Sequence, residues 1–89
     1  MQEFYLITFE STHAAISTEK VLKPAEISIM PVPRYISASC GISVRIKPEK
    51  RSEAEKLFRN HGTLSPTDYA YWHVVIDDEG KAECERLEM

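Results

Sequence analysis

The sequence is poor in cysteine and glycine, with two and three of them, and it has a single tryptophan, Trp72. Two cysteines, Cys40 and Cys84, are too few for a disulfide scaffold. They form no CxxC pair and no Cys/His cluster at zinc spacing. No stretch approaches the roughly 18 consecutive apolar residues of a membrane helix. Met1-Gln-Glu-Phe4 lacks the basic and apolar regions of a signal peptide, so a cytoplasmic location with free thiols is expected. Nor is there an excess of positive charge. Eleven Lys and Arg stand against 14 Asp and Glu, a net charge of −3, which argues against nucleic-acid binding through a phosphate-matching field. The glycine-containing aromatic signature of RNA-recognition motifs is missing too. There is no internal repeat or low-complexity tract, and no cofactor or membrane partner is expected.

What is present is an ordinary globular composition: 89 residues, 43% hydrophobic and 28% charged. A chain of this length makes one domain that buries about 60–65% of the surface of its unfolded chain. It has no room for a deep internal cavity, so a pocket is expected as a surface cleft or a subunit interface.

Residues 3–9, rich in aromatic and branched side chains, read as a strand. Ser11 or Thr12 can cap a helix whose apolar positions are Ala14, Ala15, Thr18, Val21 and Leu22, with Pro24 stopping it at or near Lys23. Residues 26–32 read as a second strand, ended or placed at an edge by Pro31 and Pro33. A loop from Arg34 to Gly41 leads to residues 42–46, where Ile42, Val44 and Ile46 alternate with Ser43 and Arg45. A second helix begins either with Pro48 in its first turn or at Ser52, with Glu55 completing a capping box. Its stripe is Ala54, Leu57 and Phe58, and Gly62 suits its end. Residues 69–76 make a fourth strand, and Asp77-Asp-Glu-Gly80 is a turn. From Lys81 the chain reads equally as a short fifth strand or a frayed helix.

The order βαββαβ predicts an α+β, ferredoxin-like two-layer sandwich, with sheet order 4-1-3-2 and two helices on one face. The domain spans residues 1–80, with 81–89 as a tail or extra edge strand. Strands 1 and 4 are apolar on both faces: Phe4 and Leu6 face the helices while Tyr5, Ile7 and Phe9 face out, or the reverse. A homodimer is expected through the uncovered face, formed by Tyr5, Ile7, Phe9 and Tyr71. The topology brings the start of helix 1, with His13, to the same end of the sheet as the loop from Arg34 to Cys40. A helix N-terminus and nearby cations favour a thiolate, and Gly41 is expected to leave the Cys40 thiol accessible. His61 comes to the same end, so a metal site from Cys40, His13 and His61 would still need a fourth ligand; none is assigned. His73 is expected to point outward from mid-strand. Cys84, between Glu83 and Glu85, is a poor nucleophile because their charges raise a thiol pKa.

Three segments together, Leu6-Ile-Thr-Phe-Glu-Ser-Thr-His-Ala14, Ile29-Met-Pro-Val-Pro-Arg-Tyr-Ile36 and Ser37-Ala-Ser-Cys-Gly-Ile-Ser-Val-Arg45, resemble a small bacterial family described as selenium/sulfur-carrier-like. The resemblance covers roughly residues 4–76. It maps the family's cysteine onto Cys40, followed by Gly41, its proline-arginine segment onto Pro31, Pro33 and Arg34, and its His-Ala onto His13 and Ala14. Pro24-Ala-Glu26 stands where the family has a glycine.

The resemblance implies a carrier rather than a stand-alone enzyme. Cys40 would hold a persulfide or selenosulfide received from a donor enzyme and pass it to an acceptor protein. Arg34 would stabilise the anion and His13 would steer a proton. The competing expectation is a small-ligand-binding or regulatory dimerisation module in which Cys40 is structural.

Overall fold

The computed structural model describes residues 1–36, 40–62, 64–65 and 67–88. Strand β1 (Gln2–Phe9) is the aromatic and branched run at the start of the chain. Ser11 follows it in extended backbone, and its hydroxyl accepts from the Ala14 N–H at 3.1 Å. That bond satisfies one of the free donors of the first turn of α1 (Thr12–Leu22). The helix buries Ala14, Ala15, Thr18 and Leu22, while Val21 packs at the margin of the core.

Pro24 halts α1 as expected, and Lys23–Ala25 tighten into one 3-10 turn. Glu26 closes that turn with a φ of 56°, its N–H donating to the Lys23 carbonyl at 3.1 Å. Left-handed backbone of this kind is open to glycine and strained for a glutamate. The turn therefore keeps the shape that a glycine would serve, at a residue that has a Cβ.

Strands β2 (Ser28–Pro31) and β3 (Ile42–Ile46) form an antiparallel pair with Ile29 opposite Val44. Pro48 then opens a 3-10 turn, Pro48–Lys50, which runs into α2 (Arg51–His61). The Ser52–Glu55 capping box does not form: Ser52 lies inside the helix, no side chain caps its start, and Glu55 is held by Arg51 and Tyr71 instead. At the other end the Gly62 N–H donates to the Phe58 carbonyl at 2.8 Å, and a Cβ on residue 62 would collide with that carbonyl oxygen. Strand β4 (Tyr69–Ile76) leads into the expected turn. Asp77 Oδ1 accepts from the N–H groups of Glu79 and Lys81, and Gly80 takes a φ of 83°. The chain then folds back as β5 (Ala82–Leu87).

The result is an α+β domain with a five-stranded antiparallel sheet in the order β2-β3-β1-β4-β5. This corrects the expected four-stranded 4-1-3-2 sheet. β4, β1, β3 and β2 are neighbours in that order, but the tail adds a fifth strand beyond β4. The cause is local: the Asp77 turn reverses the chain and offers β5 the unpaired edge of β4.

Both helices cover one face. Ala14, Ala15, Leu22, Ala54 and Phe58 pack there with Tyr5, Ile7, Phe9, Val44, Ile46 and Tyr71. Alternation sends Phe4, Leu6 and Val74 to the opposite face, which therefore carries a second small core. The homodimer face expected from Tyr5, Ile7, Phe9 and Tyr71 is thus corrected. Those four side chains lie beneath the helices and are at most 8% exposed. The helix stripes demand large partners, and the four tyrosine and apolar side chains supply them.

The open face is partly roofed by the chain that follows β2. Ile36, only 6% exposed, packs with Phe4, Leu6 and Val74, and Met30 and Val32 join it. The Ile36 N–H donates to the Pro33 carbonyl at 3.1 Å, closing a turn over the sheet. Ser37, Ala38 and Ser39 of the expected loop lie outside the described residues. No helix among the described residues is long and apolar enough to cross a membrane.

Candidate functional site

Cys40 sits in the β2–β3 connection, directly before β3, where the sequence places it. Two backbone bonds anchor the place. The Cys40 N–H donates to the Phe9 carbonyl at 3.1 Å, and the Val32 N–H donates to the Gly41 carbonyl at 3.1 Å. The first ties the connection to the end of β1; the second ties it to the end of β2. Cys40 therefore comes beside the start of α1, and its Sγ lies 3.8 Å from the Thr12 hydroxyl. The Ile42 N–H donates to the same sulfur at 3.4 Å. One backbone N–H thus donates to the sulfur, and the Thr12 hydroxyl lies within reach of it as donor or acceptor.

The thiol itself is buried. Cys40 is 5% exposed and belongs to the core beneath the helices. The expectation that Gly41 leaves it accessible is corrected: Gly41 is exposed, but the backbone bonds on either side turn Cys40 inward. Arg34 and His13 are both exposed, and neither side chain makes a hydrogen bond or ion pair among the described residues. The structure brings Cys40 to Thr12 and Ile42, not into contact with the cation and imidazole expected around it. Among the described residues no set of three or more His, Cys, Asp or Glu is arranged to hold a metal ion, so Cys40, His13 and His61 are not gathered into one.

Residues 4–66 match the family described as "Putative Se/S carrier protein-like". The chain belongs to this Se/S-carrier-like family. The match spans well over half of the chain and includes Cys40, and it ends ahead of β4 rather than at residue 76. No curated protein and no solved structure matches the chain. Within the Se/S-carrier-like match lie all three segments that carried the resemblance.

Cys84 is set apart from Cys40. It lies on β5 opposite Val74 and packs on the second core, half-buried. Burial raises its thiol pKa. The direction agrees with expectation but the cause does not: Glu83 and Glu85 alternate to the other face of the strand, so their charges point away from the sulfur. A shallow groove of about 330 Å³ runs along β4 and β5, lined by His73, Val75, Glu83, Cys84 and Glu85, and does not reach Cys40.

A polar network between α2 and the sheet escaped the sequence reading. Glu55, with its side chain 15% exposed, accepts from Arg51 Nε at 2.6 Å, from the Tyr71 hydroxyl at 2.9 Å and from Arg59 Nη2 at 3.4 Å. Arg51 also donates to the Tyr5 hydroxyl at 2.9 Å and lies over its ring. Burial pushes the Glu55 carboxyl up, but the bonds from Arg51 and Tyr71 outweigh it and hold it below its ordinary value. Burial and the bond to Glu55 push the Tyr71 hydroxyl well above its ordinary value. His73, expected to point outward, stacks on Tyr5 at 4.8 Å and bonds Glu3 at 2.7 Å. The sequence held one usable signal: Arg51, Glu55 and Arg59 recur at four-residue steps along one face of α2.

Proposed function

We propose that Cys40 is a carrier thiol that takes a sulfur or selenium atom from a donor enzyme and hands it to an acceptor protein. Membership of the Se/S-carrier-like family over a span containing Cys40 and Gly41 carries this reading. In the sulfur case the Cys40 thiolate attacks the terminal sulfur of a persulfide on the donor. The donor's S–S bond breaks, its cysteine leaves as thiolate, and Cys40 keeps the sulfur as a persulfide. The sulfur keeps its oxidation level, so no oxidant is required. Delivery repeats the step with the acceptor's thiolate as nucleophile.

The Ile42 N–H donates to the sulfur at rest, and the Thr12 hydroxyl lies beside it. Transfer requires that docking or local opening bring Cys40 to the surface, where Arg34 stabilises the anion and His13 steers a proton. The test is incubation with a cysteine desulfurase and cysteine, followed by intact mass. Wild-type protein and Cys84→Ser should gain the mass of one sulfur, and Cys40→Ser should not. No gain in the wild type removes the carrier reading.

One observation favours a second reading. At 5% exposure Cys40 is placed as a structural thiol would be, in a binding or regulatory module. That reading predicts that Cys40→Ser loses stability and that the wild type never loads sulfur.

A further inference from the structure

We propose that the outer edge of β2 pairs with the same edge of a second copy of this chain, joining two five-stranded sheets into one across a two-fold axis. The sheet ends in two free edges, β2 and β5. A free edge offers unpaired N–H and C=O groups, and chains that stay apart guard it with charge. β5 is guarded in this way. It carries Glu83, Glu85 and Arg86, and pairing it with its own copy about Cys84 would set Glu83 against Glu85. β2, Ser28-Ile-Met-Pro31, carries no charged residue, and its Ile29 is 45% exposed.

The backbone of β2 decides which groups face out. The Val32 N–H donates to the Gly41 carbonyl, on the β3 side, at 3.1 Å. Directions alternate along a strand, so Met30 and Ser28 also point to β3, while Pro31 and Ile29 point to the free edge. The N–H that Pro31 lacks is thus one that β3 never uses, the place where a strand tolerates proline. Ile29 turns both its N–H and its C=O outward, with no strand beyond it among the described residues. The chain after β2 leads away from this edge. Ile36 packs on Phe4 and Leu6 of β1, and the Cys40 N–H bonds Phe9 of β1, so β3 stands between both of them and the outer side of β2.

The edge is complementary to itself. A two-fold axis normal to the sheet at Ile29 sets that residue opposite its own copy, and each Ile29 N–H donates to the other's carbonyl. Ile27 comes opposite Pro31, and its N–H meets the Pro31 carbonyl, which has a lone pair to spare beside a 3.5 Å contact with the Ser43 hydroxyl. The side chains match as well. Ile29 lies opposite Val44 on the helix side of the sheet, so Ile27, Ile29 and Pro31 of both copies form one apolar row there. On the other side Ser28 meets Met30, and no like charges oppose each other. Sliding the strands until Pro31 meets Pro31 leaves that pair without a donor, so the proline sets the register.

A strand of foreign sequence finds no charge on β2 to select it, whereas a second copy is matched by symmetry. A ladder this short buries well under the roughly 1,200 Å² of a stable interface, so the association is weak, with a Kd of about 0.1–1 mM. Antiparallel pairing sends the two Cys40 loops to opposite ends of the joint, so neither copy covers the other's thiol. The pairing stands whether or not Cys40 carries sulfur.

Sedimentation equilibrium from micromolar to millimolar concentration reads the association. The wild type should pass from monomer to dimer over that range. Ile29→Lys and Ile29→Glu each set like charges against each other at the axis and should each weaken the dimer about tenfold or more. An equimolar mixture of the two variants in low salt should dimerise again, and Glu85→Gln on the other edge should change nothing. Circular dichroism establishes that the variants are folded. Amide exchange in the wild type gives a reading that needs no variant: the Ile29 N–H should exchange more slowly as concentration rises, and the Met30 N–H, which faces β3, should not. Four results overturn the proposal. A wild type monomeric at millimolar concentration would leave the edge to a strand of another protein. An Ile29→Lys variant that dimerises like the wild type would place the contact elsewhere. A mixture of the two variants that stays monomeric would deny the two-fold pairing, and so would Ile29 exchange that is independent of concentration.

Discussion

Replacing Tyr71 by phenylalanine removes one oxygen from a ring that is 1% exposed and leaves its packing in place. The lost hydroxyl donates to Glu55 at 2.9 Å. A hydrogen bond to a charged partner contributes about 1.5–3 kcal/mol. Glu55 keeps Arg51 at 2.6 Å, so the lower end applies and the expected loss is about 1.5 kcal/mol. In a domain of this size that lowers Tm by roughly 6–12 °C. The pH dependence has a definite sign. The folded pKa of Glu55 is depressed, so its stabilising contribution is complete above the unfolded value of about 4.3 and is lost as pH falls through the folded value. The Tyr71→Phe penalty should therefore be full at neutral pH and shrink in acid below that window. Urea unfolding followed by Trp72 fluorescence at neutral and acidic pH measures it. A variant as stable as wild type at neutral pH, or a penalty that grows in acid, would refute the reasoning.

Three further expectations concern single sites. Glu26→Gly relieves left-handed strain of about 1–2 kcal/mol and gives back about 0.4–1 kcal/mol through a freer unfolded chain. It should therefore stabilise the protein by up to about 1.5 kcal/mol, measured by thermal unfolding; the exposed contact of Glu26 with Lys50 adds little against it. Thr18 is 2% exposed and its Oγ1 has no hydrogen-bond partner among the described residues, so Thr18→Val should stabilise by about 1 kcal/mol, measured by urea unfolding. Iodoacetamide should label native Cys40 at least tenfold more slowly than unfolded Cys40, with a urea dependence shallower than that of global unfolding. A dependence equal to global unfolding would mark the thiol as a fixed core residue and favour the structural reading.

Several elements were legible because one residue type decides them. Ser11, one of two cap candidates with Thr12, caps α1, Pro24 stops it by crowding the residue before it, and the Asp77-to-Gly80 turn reverses the chain through the Asp77 carboxylate. The choice of face for β1 and β4 was not legible, since Phe4 and Leu6 are as apolar as Tyr5, Ile7 and Phe9. Only the helices packed on Tyr5, Ile7 and Phe9 settle it. Glu55 has the spacing of a capping box from Ser52, yet Arg51, Arg59 and Tyr71 together bind it more strongly than one backbone N–H. The Cys40 neighbourhood was legible as topology but not as contact. The crossover brings the thiol to the start of α1 and to Thr12, while its burial follows from two backbone bonds that no residue pattern announces.

The most direct test of the carrier account is the location of the transferred atom. The protein is loaded by a cysteine desulfurase with cysteine, alkylated at once, and its peptides are mapped by mass. The account predicts one extra sulfur, on the peptide containing Cys40, with Cys84 alkylated as a plain thiol, and loss of the label on transfer to an acceptor thiol. An extra sulfur on Cys84 alone, or on neither cysteine, would contradict it.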